Sequence, residues 1–133
     1  MTAGSDMLQL IYVSTARPGV AIDLDRILSC SRRNNRRDGI TGLLHANGRR
    51  FLQALEGDVA HVEAAYARIS ADPRHFALVV LSRRMVTARE FGGWAMAVDD
   101  GTGGIIAQVS ALVEGAAPSV RGTFEGFVAM RAA

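Results

Sequence analysis

The spacing of apolar and polar positions predicts a chain that alternates strands and helices. Residues 7–14 form an almost continuous apolar run rich in strand-favouring side chains, which predicts a first strand that ends before Pro18 and Gly19. After Ile22 the apolar positions recur every three or four residues. This second pattern predicts a first helix that ends at Gly39.

A β-hairpin follows the first helix. Residues 40–46 and 49–55 are two strand-like runs separated by Asn-Gly at 47–48, a pair typical of a two-residue type I′ turn. Such a turn places Gly42 opposite Gln53. The glutamine would then face a neighbour without a side chain, which leaves space for a flat group.

The second half of the chain returns to the same order of helix and strand. Asp58 is suited to cap a second helix, which Asp72 and the proline after it end. Residues 76–81, extended toward residue 85, predict a fourth strand, and residues 94–98 predict a fifth. The predicted order of elements is therefore βαββαββ.

The composition changes at residues 99–104, an Asp- and Gly-rich stretch that predicts a boundary. We expect a compact unit over residues 1–100 and capping helices over residues 101–133, with helical candidates at 105–113 and 119–132. The last candidate has an apolar stripe and is too short to be stable alone. We therefore expect it to pack on the sheet or on a partner.

Composition and charge exclude several classes of protein. The 133 residues, 49% of them hydrophobic, suit one globular domain, and the formal charge of +2 offers no excess for binding nucleic acid. All 15 basic residues are arginine, and we interpret the run between residues 32 and 37 as a solvated helix end. The single cysteine excludes an internal disulfide, and no His/Cys spacing resembles a metal site. No apolar run approaches a membrane span, so we expect a cytoplasmic protein.

Three side-chain amides occupy positions where the periodicity predicts apolar packing. Asn34 and Asn35 extend the apolar face of the first helix, and Gln53 shares its strand face with Phe51 and Leu55. A buried amide without partners costs roughly 1–3 kcal/mol, so a ligand or a buried tyrosine is expected beside it. Taken singly, the two asparagines also fit an ordinary helix C-cap.

Several separated motifs together resemble the BLUF domain, a family of blue-light photoreceptors that bind flavin noncovalently. The resemblance covers roughly residues 8–99, and its motifs occur in the family's order. They are Tyr12, Asn34-Asn35 ahead of Gly39-Ile-Thr-Gly42, Phe51-Leu-Gln53-x-Leu-Glu-Gly57, Asp72-Pro-Arg-His75 and Arg89-x-Phe91-x-x-Trp94-x-Met96. The implied fold is α+β, a ferredoxin-like mixed sheet with two helices on one face that hold the flavin.

The resemblance also implies which residues bind the cofactor, with FAD expected and FMN or riboflavin left open. Ile27 and Ile69 would enclose the isoalloxazine ring, and Asn34 and Asn35 would hydrogen-bond its pyrimidine end. Supporting or peripheral contacts are implied for Ser31, Arg68, Asp72, Arg74 and His75. Singly, Arg68 and His75 are equally well explained as surface residues, and Ser31 as a small core residue.

The implied mechanism is photochemical and involves no enzyme activity. Tyr12 would give an electron and a proton to the excited flavin, and Gln53 would rotate or tautomerise, which shifts the flavin absorption to the red. Trp94 and Met96 on the fifth strand would respond and pass the change to the C-terminal helices. The output would be a separate signalling protein or a homo-oligomer.

Other classes of protein make different demands on the sequence. An acylphosphatase-type hydrolase needs a phosphate-binding loop with an arginine after the first strand. Arg17 and the two residues after it match that pattern only weakly. An RNA-binding sheet needs exposed aromatic side chains on its central strands, and the chain has only eight aromatic residues. A light-independent interaction module differs from the photoreceptor only in lacking flavin, so colour separates the two.

Overall fold

The computed structural model describes residues 6–17, 19, 24–47, 50–90, 97–98, 104–114, 118 and 121–126. Its elements are β1 (Met7–Ala16), α1 (Leu24–Asp38), β2 (Thr41–Asn47), β3 (Arg50–Gly57), α2 (Val59–Ala71), β4 (His75–Val86), β5 (Ala97–Val98) and α3 (Gly104–Val113), and residues 121–126 are also helical. The predicted order βαββαββ is confirmed. Of the predicted fifth strand, residues 94–96 lie outside the described residues. No helix in the described part of the chain has the length and apolar character that crossing a bilayer requires.

The strands lie side by side in the order β4-β1-β3-β2-β5. The four longer strands pair antiparallel with their neighbours, whereas β5 pairs parallel with β2. Helices α1 and α2 each connect two strands that are not adjacent in the sheet, and this topology is the expected ferredoxin-like α+β fold with one additional edge strand. The boundary at residue 100 stays a prediction.

The predicted hairpin register was wrong by two residues. Asn47 pairs with Arg50, so the two-residue loop comprises residues 48–49, outside the described residues. Gln53 therefore lies opposite Leu44, and Gly42 does not face it. The first strand of the hairpin ends one residue later than predicted and the second begins one residue later. The resulting shift by two leaves every side chain on its predicted face. The space expected beside Gln53 is taken by a buried leucine.

Alternating residues of the strands form two cores, one on each face of the sheet. The first core lies on the face of α1 and α2 and contains Leu8, Leu10, Tyr12, Leu28, Ile40, Leu44, Leu55, Val62 and Ala65. The second core lies on the opposite face and contains Ile11, Val13, Leu52, Ala54, Leu81, Val109 and Phe124. Val109 and Phe124 come from the C-terminal helices. Of the two sites expected for the last predicted helix, the sheet or a partner, the described part of that helix therefore packs on the sheet.

Local backbone chemistry sets the ends of both long helices. At the end of α1, Gly39 adopts the left-handed conformation with φ +69°, and the Ile40 N–H donates to the Asn35 carbonyl at 2.9 Å. At the start of α2, the Asp58 carboxylate accepts from the main-chain N–H groups of the helix's first turn, as predicted. The α1 cap thus uses the glycine and main-chain groups.

Candidate functional site

Tyr12 and Gln53 lie side by side on the sheet face that α1 and α2 cover. They are direct cross-strand neighbours in the β1–β3 ladder, and the Tyr12 hydroxyl donates to Gln53 Oε1 at 2.5 Å. Tyr12 is fully buried, and Gln53 is partly buried. The structure therefore brings together the two residues that the sequence predicts as a photoactive pair, and it does so through strand register.

The environment of Tyr12 keeps its phenol protonated. Burial raises the pKa of Tyr12 far above its usual range because a phenolate would lose its hydration, and Tyr66 raises it further. A protonated hydroxyl can only donate to the Gln53 oxygen. Tyr12 is thus a neutral hydrogen-bond donor throughout the physiological pH range.

Tyr66 on α2 was not among the predicted site residues. Its ring meets the Tyr12 ring edge to face, with centroids 5.0 Å apart and planes at 73°. In the sequence, Tyr66 is one of the apolar positions that recur along the second helix. Its place three residues before Ile69, on the same helical face, is the signal that would have identified it.

The asparagines lie near the end of α1, as the periodicity predicts. Asn35 is buried, with 4% of its surface exposed, and Asn34 and Ser31 are half-buried. A carboxamide both donates and accepts, so a pair of them suits a heterocycle whose edge alternates N–H and C=O groups. This chemistry fits the pyrimidine end of a flavin.

The α2 side of the site combines an apolar and a charged residue. Ile69 is half-buried and packs against the first core. The adjacent Arg68 is exposed, and its guanidinium lies 3.8 Å from the Asp38 carboxylate at the end of α1. An ion pair with an exposed guanidinium contributes little stability, but this one joins the C-terminal ends of the two helices.

Asp72 and Arg74, predicted to line the far side of the cofactor, contact each other. The Arg74 guanidinium donates to both carboxylate oxygens of Asp72, at 2.5 to 3.0 Å, and the Arg74 main-chain N–H donates to Oδ1 at 2.9 Å. The carboxylate raises the pKa of Arg74. The pair therefore holds the turn between α2 and β4 and neutralises its own charge.

The structure does not describe the side chains of four other predicted site residues. The main chain of Ile27 lies in α1 and that of His75 begins β4, but their side chains are outside the described part of the structure. Trp94 and Met96 fall wholly outside the described residues. Their roles stay predictions.

A family model matches most of this chain. The model is that of BLUF, described as sensors of blue light using FAD, and it matches residues 7–97. This range contains β1 through the start of β5, and therefore every predicted site residue.

Curated relatives match the same region and are much longer than this chain. The blue light- and temperature-regulated antirepressor BluF of Escherichia coli K12 is 36% identical over 92 residues, which are 68% of this chain and 23% of that protein. The photoactivated adenylate cyclase subunit beta of Euglena gracilis is 43% identical over 76 residues, 56% of this chain and 9% of that protein. The chain thus spans less than a quarter of these relatives.

Solved structures with the same fold include one of similar length. The dark-state structure of the BLUF protein BlrB has a TM-score of 0.69 and 29% identity, covering 93% of this chain and 96% of that one. Klebsiella pneumoniae BlrP1, solved with FMN and cyclic diGMP, has a TM-score of 0.68 and 34% identity, covering 79% of this chain and 30% of that one.

Proposed function

Because the chain belongs to the BLUF family, the sensors of blue light using FAD, we propose that it is a blue-light photoreceptor whose photoactive pair is Tyr12 and Gln53. The observation that carries this proposal is the 2.5 Å hydrogen bond between the two side chains on the sheet face below α1 and α2. Bound flavin would supply the absorption of blue light and, once excited, a strong electron acceptor.

Tyr12 is the proposed donor of the electron and the proton. Its phenol is neutral, so loss of an electron leaves an acidic radical cation that must release its proton. Gln53 Oε1 is an acceptor in place for it, since it already accepts the hydrogen bond from the Tyr12 hydroxyl. Proton release therefore needs no diffusion and no water.

Gln53 is the proposed switch. Its two amide ends differ, one an acceptor and one a donor, and Tyr12 engages the oxygen. The Nε2 donor is then left for the cofactor in the dark. Rotation or tautomerisation of the amide, after the electron returns, changes the group that Gln53 presents and so changes the colour of the protein.

The remaining predicted residues are proposed to hold the cofactor. Asn34 and Asn35 would bind the pyrimidine edge, while Ile27 and Ile69 would enclose the ring from the two helices. Ser31, Arg68, Asp72, Arg74 and His75 complete the proposed set. The family's description supports FAD, and FMN, present in the BlrP1 structure, is the alternative.

The proposed output runs from strand β5 to the C-terminal helices and then to another protein. Trp94 and Met96 precede β5, and the helices pack on the second core through Val109 and Phe124. Relatives named as an antirepressor and as cyclase subunits support a signalling role rather than catalysis by this unit. A second copy of the chain is the alternative partner.

The test is the visible spectrum of purified protein reconstituted with FAD, recorded before and after blue light. We expect a yellow protein whose flavin absorption shifts reversibly to the red and recovers in the dark. Protein that stays colourless after incubation with FAD, FMN and riboflavin would overturn the proposal. The flavin released from the native protein on denaturation identifies the cofactor.

A further inference from the structure

A second polar pair lies three residues from Tyr12 and Gln53 on the same two strands. Gln9 precedes Tyr12 on β1, Glu56 follows Gln53 on β3, and both couples are direct cross-strand neighbours. Because three is an odd number of residues, the second pair faces the opposite side of the sheet, about 10 Å along the strands. It lies on the face that carries α3.

The Gln9–Glu56 pair is fully buried and its side chains are joined. Both residues are 0% exposed, and Gln9 Nε2 donates to Glu56 Oε2 at 2.9 Å. A buried carboxylate is costly unless donors surround it, so its partners are held in specific positions.

The other hydrogen-bond partners of the Gln9–Glu56 pair come from β4 and from the chain that follows β4. The Glu90 main-chain N–H donates to the Glu56 carboxylate oxygens at 2.8 and 3.0 Å, and Gln9 Nε2 donates to the Glu90 side chain at 3.0 Å. Arg84 Nη1 donates to Gln9 Oε1 at 2.9 Å and to Glu90 at 2.7 Å. We call these four residues the Glu56 junction.

Arg89 also binds the chain that follows β4 to the sheet. Its guanidinium donates to the main-chain oxygens of Glu56 at 2.8 Å and Gly39 at 2.9 Å, and to the Thr41 hydroxyl at 2.5 Å. The chain leaving β4 is therefore fixed to β3 and to the start of β2. It is fixed just ahead of residues 91–98, which contain β5.

We propose that the Glu56 junction couples the Tyr12–Gln53 pair to the segment between β4 and β5, so that Glu56 is a positioning residue for the light response. The inference rests on the proposed function. Strand β1 carries one residue of each pair, and β3 carries the other. A change at Gln53 that moves β3 relative to β1 therefore also moves Glu56 relative to Gln9. The Glu90 main chain, held by the carboxylate, then moves with it.

The experiment compares hydrogen exchange of residues 87–98 in the dark and under blue light in the full chain with FAD bound. Glu56→Gln keeps the shape but sets an amide donor where the carboxylate accepted from Gln9 and Glu90. The matched control is Glu63→Gln, which removes an exposed carboxylate paired with Arg83 at 2.6 Å. All three proteins should keep the reversible red shift. We expect faster exchange in light for the wild type and Glu63→Gln, and loss of that difference in Glu56→Gln.

Several results would overturn the inference. A full light–dark difference in Glu56→Gln would do so, and so would no difference in a wild type that shows the red shift, which leaves the proposed function standing. A wild type without any red shift overturns both. If Glu56→Gln does not fold, Arg84→Met replaces it, since this side chain is partly exposed and contacts both Gln9 and Glu90. That variant should show a reduced difference, and an unchanged one contradicts the junction.

Discussion

Tyr12 is completely buried, and within the part of the chain that the structure describes its hydroxyl is bonded to Gln53. The hydroxyl cannot be hydrated, its proton is directed at Gln53, and the Tyr66 ring fixes its orientation. In the proposed photochemistry, Tyr12 gives up its proton only after it has lost an electron. The same burial predicts how the folded protein responds to alkaline pH.

We expect Tyr12 to resist ionisation in the folded protein. In the Tyr66→Phe variant Tyr12 is the remaining tyrosine, and tyrosinate absorbance should stay absent at pH 10.0, where an ordinary tyrosine is half ionised. The pKa of Tyr12 is higher in the folded protein than in the unfolded chain. The stability that the buried neutral phenol contributes is therefore complete below pH 10.0 and is lost as the pH rises further. A pH titration of ultraviolet absorbance checks this, and half-ionisation near pH 10.0 in folded protein would refute it.

Asn35 is expected to contribute directly to flavin affinity. Asn35→Ala removes a buried carboxamide from α1, and loss of about one hydrogen bond weakens binding about tenfold, or roughly 1.4 kcal/mol. Arg36→Ala, a change at the exposed next residue, is the control and should bind as the wild type does. Quenching of flavin fluorescence on titration measures both. Equal affinities of the two variants would argue against the assignment.

Among the elements, the hairpin and the edge strand β4 show where sequence patterns stop being sufficient. The two strands of the hairpin were predicted, but their register was not, because a two-residue loop fits at 47–48 and at 48–49 and both keep the apolar faces aligned. In the folded protein the second register is formed, in which Leu44 lies opposite Gln53. Turn chemistry alone could not make that choice.

The irregularity in β4 is also invisible to the apolar pattern. Its pairing with β1 shifts between Val13 and Thr15, and Ala77, in the shifted stretch, has φ +56° in the left-handed region. A non-glycine residue there carries strain of roughly 1–2 kcal/mol. The bulge interrupts the regular edge of the sheet.

Ala77→Gly should therefore stabilise the protein by about 0.5–1 kcal/mol, since the strain that glycine avoids, roughly 1–2 kcal/mol, exceeds the extra backbone entropy that glycine loses on folding, about 0.5–1 kcal/mol. Ala67→Gly, the same change at an exposed position inside α2, should destabilise it by about 1 kcal/mol. Urea unfolding of both variants gives the two free energies. The opposite signs are the test, and destabilisation by both changes would show that Ala77 is not strained.

For the molecule as a whole, the central strands β1 and β3 carry the two proposed functional pairs on opposite faces. One face presents Tyr12 and Gln53 to the helices, and the other presents Gln9 and Glu56 to the chain that leads to β5. The family's motifs predicted the first pair. The second could not be predicted, because its contacts join residues 47 and 81 positions apart, and no local spacing encodes them.

The most direct test of the central claim compares the light-minus-dark absorption spectra of two tyrosine variants. Tyr12→Phe removes the hydroxyl bonded to Gln53, and Tyr66→Phe removes that of the ring 5.0 Å away. We expect both to bind flavin, with a reversible red shift in Tyr66→Phe and none in Tyr12→Phe. A normal red shift in Tyr12→Phe would contradict the account, because the electron and proton would then come from elsewhere.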